Sequence, residues 1–380
     1  MKRYTLVVTC IFWYLSAFSQ TQPLEYIPAE IDFSEKISDW DGFGFNYVEA
    51  AQSRDYENSP QDYGGFSLLS EKQKQEILQL VFGKNGLQVE IVKMFLDPFH
   101  QETPTSSFEH ESTTGNMLYF VDKGLEICRQ RNADLDIITT LYGPPSWATA
   151  QKHIGGRDLD YDQTDNLCIY MLDWVKFLRN KGLPVNYLSL HNEGEDFYRW
   201  NFDDGSQRLL KFDYNIYWPP KQVNHFLKEL PKFQDKYGLN NLKITNGEPS
   251  NWTRFYYWGY TDALYDDNDA LENLGLLTTH GFINGNTKKL SYGLPNQITT
   301  NKLRDKKPDL KSWVTSYSWG NMGIDFIRMA HEHLYTSQVN ALIPWAGIQN
   351  PSQWIGGDPN PGCAIQINDD GTKKKKKGYY

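Results

Sequence analysis

The run Ser189-Leu190-His191-Asn192-Glu193-Gly194-Glu195 sets two carboxyl groups, an amide and an imidazole in one short stretch. A carboxyl group lodged among aromatic side chains can keep its proton near neutral pH and deliver it to a departing oxygen. Glu193 is the candidate proton donor. Such chemistry wants a second acid nearby, and Glu248, in Asn246-Gly247-Glu248-Pro249-Ser250-Asn251-Trp252, is the leading candidate. Glu49, Glu195 and Asp97 stand behind it. Plainer readings are available for both: Glu193 as the ion-pair partner of Arg199, and Glu248 as the cap of the helix that follows.

Other chemistries find no support. His331 and His333 are two apart on one helix and do not face each other. No His-Glu-x-x-His, cysteine cluster, Gly-x-Ser-x-Gly or phosphate-binding glycine loop occurs, so no metal and no cofactor is expected. His153, Arg157 and Asp158 lie in a glycine-rich loop, where Arg157 could meet an acidic group or simply stay solvated. Asp97 precedes Pro98 and suits a turn or a hydroxyl contact.

These residues gain meaning from the elements that carry them. Short apolar runs closing on polar or aromatic residues recur at Gly42–Glu49, Val89–Phe99, Leu135–Trp147, Val185–Glu193, Leu242–Glu248, Leu276–Ile283, Lys311–Ser318 and Asn340–Gln349. Helical patterns fall between them. Ser70 with Gln73 has capping-box spacing, followed by Ile77, Leu80 and Val81 and a stop at Gly83. Tyr170, Met171, Trp174, Val175 and Leu178 share a second face that stops at Gly182. Val223, Phe226, Leu227 and Leu230 share a third, with Pro231 expected to kink or end it. A fourth runs near Gly323–Tyr335.

Eight strands alternating with helices predict an α/β fold, a (β/α)8 TIM barrel over residues 42–350. A doubly wound sheet is the competitor, but no Gly-x-Gly-x-x-Gly turn follows a strand. Barrel active sites lie at the strand ends. Here those ends carry Glu49; Asp97; Tyr142 to Trp147; His191, Asn192, Glu193 and Glu195; Glu248; His280; Ser316 and Trp319; Trp345 and Gln349. Trp147, Trp319 and Trp345 offer aromatic faces; Glu49, Asp97, Asn192, His280 and Ser316 offer hydrogen bonds to hydroxyls.

Composition agrees without deciding. The net charge of -9 argues against nucleic acid as a partner, and aromatic residues make up 15% of the chain. Aromatic rings stack on sugar C–H faces, though they also fill large cores. Residues 1–19 read as a secretory signal, with Lys2 and Arg3, an apolar run, then Ala17-Phe18-Ser19. A secreted or periplasmic location follows. Cys10 lacks the small residues that precede a lipidated cysteine. No later segment suits a membrane span. Cys128, Cys168 and Cys363 form no disulfide framework. Residues 20–41 hold an extended stretch. Residues 351–380 hold a strand at Cys363–Ile367 and a lysine run, Lys373–Lys377, read as solvated. The two flanks look like parts of a partial β appendage.

The strand-four end resembles the Asn-Glu acid/base of the clan A glycoside hydrolases. Gly42-Phe43-Gly44, Leu141-Tyr142-Gly143-Pro144-Pro145-Ser146-Trp147, Thr279-His280-Gly281-Phe282 and Trp313-Val314-Thr315 resemble glycoside hydrolase family 30 more closely. The resemblance covers roughly Asp41 to Gln349. It implies a β-sandwich side domain fed by both chain ends, Glu193 as acid/base, Asn192 on the sugar 2-hydroxyl and Trp345 as an aromatic floor.

One position departs from the family. Its nucleophile is a glutamate following Trp-x-Thr, where this chain has Ser316. A serine carries no charge to stabilise an oxocarbenium-like transition state. Three readings therefore stay open. Another carboxylate, Glu248 first, does the second job in an inverting reaction; or the barrel binds a glycan without cleaving it; or Ser316 is a loss in an ordinary retaining enzyme. The sequence reading favours the first, an exported glycoside hydrolase acting on a plant or algal polysaccharide or its oligosaccharides.

Overall fold

A computed structural model of the chain describes residues 34, 38–46, 65–66, 69–197, 214–283, 294–317, 324–352, 362–376 and 379. Trp40–Tyr380 is the larger of two compact units, the other being Met1–Asp39. Residues 1–19, read from the sequence as a signal segment, and residues 20–41 apart from 34 and 38–41, lie outside the described residues.

Eight strands close a parallel barrel in sequence order: β1 (Gly42–Asn46), β2 (Ile91–Leu96), β3 (Asp136–Leu141), β4 (Val185–Ser189), β5 (Lys243–Thr245), β6 (Leu274–Thr279), β7 (Ser312–Tyr317) and β8 (Ala341–Pro344). The last pairs back to the first through Gly42 with Ala341 and Phe43 with Leu342. The expected fold is the one observed.

The helices follow from local chemistry. Helix α1 (Glu71–Phe82) starts on the predicted capping box, with Gln73 Oε1 accepting the Ser70 amide at 3.0 Å. Such caps are worth about 1 kcal/mol. Its buried face is Ile77, Leu78, Val81 and Phe82. Helix α2 (Gly115–Gln130) had no sequence expectation; helix α3 (Thr164–Asn180) buries the predicted Tyr170, Met171, Trp174, Val175 and Leu178. Helix α4 (Pro220–Tyr237) runs through Pro231 instead of ending there. Proline forfeits one backbone bond and adds a clash, about 3 kcal/mol. The buried face continues past it to Gln234, whose side chain donates to the Leu239 and Leu242 carbonyls, and the helix runs on until Gly238, at φ 67°, turns the chain.

Short helices α5 (Trp252–Tyr257), α6 (Tyr260–Asp266) and α7 (Asn268–Asn273) fill the β5–β6 connection. Helices α8 (Leu294–Lys306) and α9 (Ile324–His331) complete the ring, α9 passing into a π turn at Glu332–Thr336.

Two expectations at the C-terminal side change. Asn340–Gln349 is not one strand: the chain breaks after Pro344, and β9 (Ile348–Gln349) joins a separate three-stranded sheet with β10 (Ile365–Ile367) and β11 (Lys373–Lys375). The lysine run is therefore partly a strand, antiparallel to β10. Lysine on an edge strand leaves its charge in water and discourages further pairing. The sheet leans on α1, where Gln73 Nε2 donates to Gly371 O at 2.9 Å, Tyr379 Oη donates to Leu80 O at 3.1 Å and Lys373 pairs with Glu76.

Inside the barrel the side chains stack in layers. An apolar plug of Ile91, Ile138, Tyr187, Leu276, Trp313, Ala341 and Ile343 is separate from the larger core between barrel and helices. Strand alternation carries the inward face two residues further along each strand. There the residues turn polar: Asn46, Lys93, Thr140, Thr278 and Thr315, all fully buried. That layer is the floor of the candidate site.

Candidate active site

Lys93 is the charge at the centre of the floor. Its ammonium group pairs with the Glu248 carboxylate, and both side chains have no exposed surface. Thr140 Oγ1 donates to Glu248 Oε1 at 2.5 Å, and Thr315 Oγ1 donates to Oε2 at 2.7 Å. Burial alone would raise the Glu248 carboxyl, but the Lys93 ammonium and the His280 ring outweigh it and hold it well below the usual carboxylate range. Glu248 is a fixed anion. It does not cap α5, whose N-cap is Asn251, the side chain accepting the Arg254 amide at 2.9 Å.

Glu193 sits above this floor. Its backbone has φ 44°, a left-handed conformation uncommon outside glycine. Two bonds pin it there: the Glu193 amide donates to Glu248 O and the Glu248 amide donates to His191 O, each at 2.8 Å. Gly247 allows the close approach, because a Cβ there would lie 2.2 Å from the His191 ring. His191 accepts the Gly194 amide at Nδ1, 3.1 Å, and burial pushes its pKa down to about 3, so it stays neutral.

His280 connects the two glutamates. Its Nδ1 lies 3.0 Å from Glu193 Oε1, and its Nε2 lies 3.3 Å from Glu248 Oε2. Lys93 Nζ is 3.4 Å from the same Nε2. Glu193 keeps 9% of its side-chain surface, whereas Glu248 keeps none. Of the two glutamates, only Glu193 keeps any exposed surface. Arg199, the alternative partner of Glu193, lies outside the described residues.

Ser316 closes the other side. Asn46 Nδ2 donates to Ser316 Oγ at 2.8 Å, and Lys93 Nζ donates to it at 3.3 Å. The β7–β8 register shifts between Val314 and Tyr317, so consecutive residues Thr315 and Ser316 both bond groups in the interior.

The remaining expected residues divide. Asn192 donates through Nδ2 to Asn215 Oδ1 at 3.1 Å. Trp147, 9% exposed, donates its indole N–H to Gln101 O at 3.3 Å; Trp345 is half-buried after β8 and joined to Ala346 by a cis peptide bond. Asp97 does not offer its carboxylate to the mouth. It accepts the Phe99 amide at 2.8 Å and the Thr113 hydroxyl at 2.7 Å, and meets His100 at 3.1 Å. Glu195 is buried against the Ser250 amide and Arg254, at 3.0 and 3.2 Å. Arg157 pairs with Asp158 at 2.8 Å and covers the Phe197 ring. Glu49 and Trp319 lie outside the described residues.

Sequence reasoning missed Lys93 and Asn46. The signal for Lys93 was present: a lone lysine inside Ile-Val-Lys-Met-Phe-Leu, a run otherwise apolar, is buried only with a partner. Asn46 carried no comparable mark. Among the described residues no group of three or more His, Cys, Asp or Glu could hold a metal ion, and no helix is long and apolar enough to cross a membrane. Cys128, Cys168 and Cys363 are buried free thiols.

A closed parallel barrel with a glutamate at the end of β4 and polar strand ends around it has the fold of the family 30 glycoside hydrolases. Solved structures with this fold include the catalytic domain of a family 30 xylanase C from Talaromyces cellulolyticus, 13% identical with a TM-score of 0.61, covering 90% of this chain and 74% of that one. An endo-β1,6-glucanase is 15% identical with a TM-score of 0.66, covering 92% and 76%. A conserved exported protein from Bacteroides fragilis is 14% identical with a TM-score of 0.68, covering 92% and 78%. No family model and no curated protein matches the sequence. At these identities the likeness is one of fold.

Proposed function

We propose that the chain is an exported glycoside hydrolase that cleaves a plant or algal polysaccharide or its oligosaccharides, with Glu193 as the proton donor. The observation that carries this reading is the position of Glu193: just past the end of β4, pinned by two backbone bonds, hydrogen-bonded to His280, and keeping some exposed surface where its neighbour Glu248 keeps none. Protonation of a glycosidic oxygen asks for such a held carboxyl group. Trp147 and Trp345 supply apolar faces, and Asn192, His280 and Ser316 supply hydrogen bonds, for a sugar lying across the mouth. Residues 1–19 supply the export signal.

Glu248 takes part as the anion that opposes the lowering of the Lys93 pKa by burial and that orients His280. Its enclosed carboxylate, fully engaged with Lys93, Thr140, Thr315 and His280, has no face for a water molecule to approach. This favours an electrostatic role for it over that of a base.

The same enclosure supports a second reading, a glycan-binding barrel without turnover. Incubation of the purified protein with a glycan panel separates the two. New reducing ends that vanish in Glu193→Gln support hydrolysis; saturable binding with no product on any glycan supports the binding protein.

A further inference from the structure

Four titratable side chains form an unbroken line beside α3, away from the candidate site. Asp97, at the end of β2, meets His100 Nε2 through Oδ2 at 3.1 Å. His100 Nδ1 meets His110 Nδ1 at 2.9 Å, and His110 Nε2 meets Asp173 Oδ1, on α3, at 3.0 Å. Both rings lie against Trp174, with centroids 4.9 and 5.4 Å away, and Phe108 stacks on His110. All four ring nitrogens face polar partners. Turning either ring over would set a carbon against them, which fixes the ring orientations.

The hydrogens in this line can be counted. An ionised carboxylate only accepts, and a neutral imidazole has one donor and one acceptor nitrogen. Three contacts need three hydrogens, while two neutral imidazoles bring two. The line closes only with one more proton. The surrounding groups do not replace it. The Thr113 hydroxyl and Phe99 amide donate to Asp97, and the Tyr170 hydroxyl donates to the Asp97 carbonyl. Glu111 pairs with Lys181, which covers Phe177, and Lys176 and Tyr237 stand outside Asp173.

We infer that Asp97, His100, His110 and Asp173 together bind one exchangeable proton, and that this proton latches the loop between β2 and α2 onto α3. Both histidines belong to that loop, and Gln101 in it accepts the Trp147 indole. Without the proton, one of the three contacts sets acceptor against acceptor. The outer one opens, because Asp173 keeps 29% of its side-chain surface and can turn to water, while Asp97 keeps none. Burial lowers the His110 pKa, and the hydrogen bond to Asp173 opposes it.

Asp173→Asn tests this directly. An amide donates to His110 Nε2, so two neutral imidazoles then complete the line. The folding constants of wild type and Asp173→Asn are measured by urea unfolding from pH 5 to 9. While the wild-type line holds its extra proton, the ratio of wild type to variant falls tenfold per pH unit, and it flattens once the proton has left. A ratio constant across the whole range overturns the inference. If the variant does not fold, the ring-proton resonances of the wild-type histidines, assigned with His100→Gln and His110→Gln, serve instead. One protonation step shared by His100 and His110 supports the latch; two independent steps, or none, overturn it.

Discussion

The main-chain amide of Glu193 donates to the main-chain carbonyl of Glu248 across 2.8 Å, so the candidate acid and the buried anion share one backbone geometry. The side chains then diverge. Glu193 meets His280 near the mouth, and Glu248 turns down to Lys93. One pair of strand ends thus presents two glutamates in opposite settings: one that keeps some exposed surface, one enclosed beside Lys93.

The Lys93–Glu248 pair should behave as a buried unit. Removing one partner leaves an uncompensated charge at about 3–5 kcal/mol. Lys93→Met and Glu248→Gln should each lower the unfolding free energy by roughly that amount. The double variant should lose less than either single one, because no buried charge remains. Urea unfolding of the three variants measures this, and strict additivity would contradict the pairing.

His280 should matter through Glu193. Replacing it with phenylalanine removes the hydrogen bond to Glu193 Oε1 while keeping an aromatic ring. We expect kcat to fall by about 10²-fold, the lower end of what general acid catalysis contributes, and the pH–rate profile to move. An unchanged profile would assign His280 to substrate contact alone.

Ser316 is surrounded by donors that a carboxylate could use, Asn46 Nδ2 and Lys93 Nζ. Ser316→Glu should raise hydrolysis by orders of magnitude and give product with retained anomeric configuration, read by proton NMR at early times. If the wild type already acts with inversion, its early product has the opposite configuration.

Acid should destabilise the fold through two buried histidines. Burial pushes His191 to about 3 and His333 to about 4, both below the ordinary 6.5. The unfolded chain takes up these protons first, so their stabilisation is complete above pH 6.5 and is lost as pH falls toward 4. Each contributes a slope of about 1.4 kcal/mol per pH unit in that window. His333→Gln, which can still donate to Gly281 O, should flatten the acid limb of a plot of stability against pH.

The barrel was readable because its strands and helices differ in period, and because each strand closes on polar residues at the same end. The Ser70 capping box and the α3 face emerged as read. Helix α2 escaped because its mixed apolar and polar residues give no clear boundary, and α4 passed Pro231 because packing outweighed a local rule. Glu193 stood out as a candidate from its Asn-Glu context. The enclosure of Glu248 was not, since it depends on Lys93, Thr140 and Thr315 arriving from three other strands, and no local spacing encodes that meeting.

The most direct test is hydrolysis by wild type and Glu193→Gln across one panel of polysaccharides, with reducing ends counted and glycan binding measured on the same samples. Product from the wild type on at least one glycan, reduced by 10² or more in Glu193→Gln with binding retained, is the result expected. Equal product from both proteins would contradict the assignment of Glu193 as the proton donor.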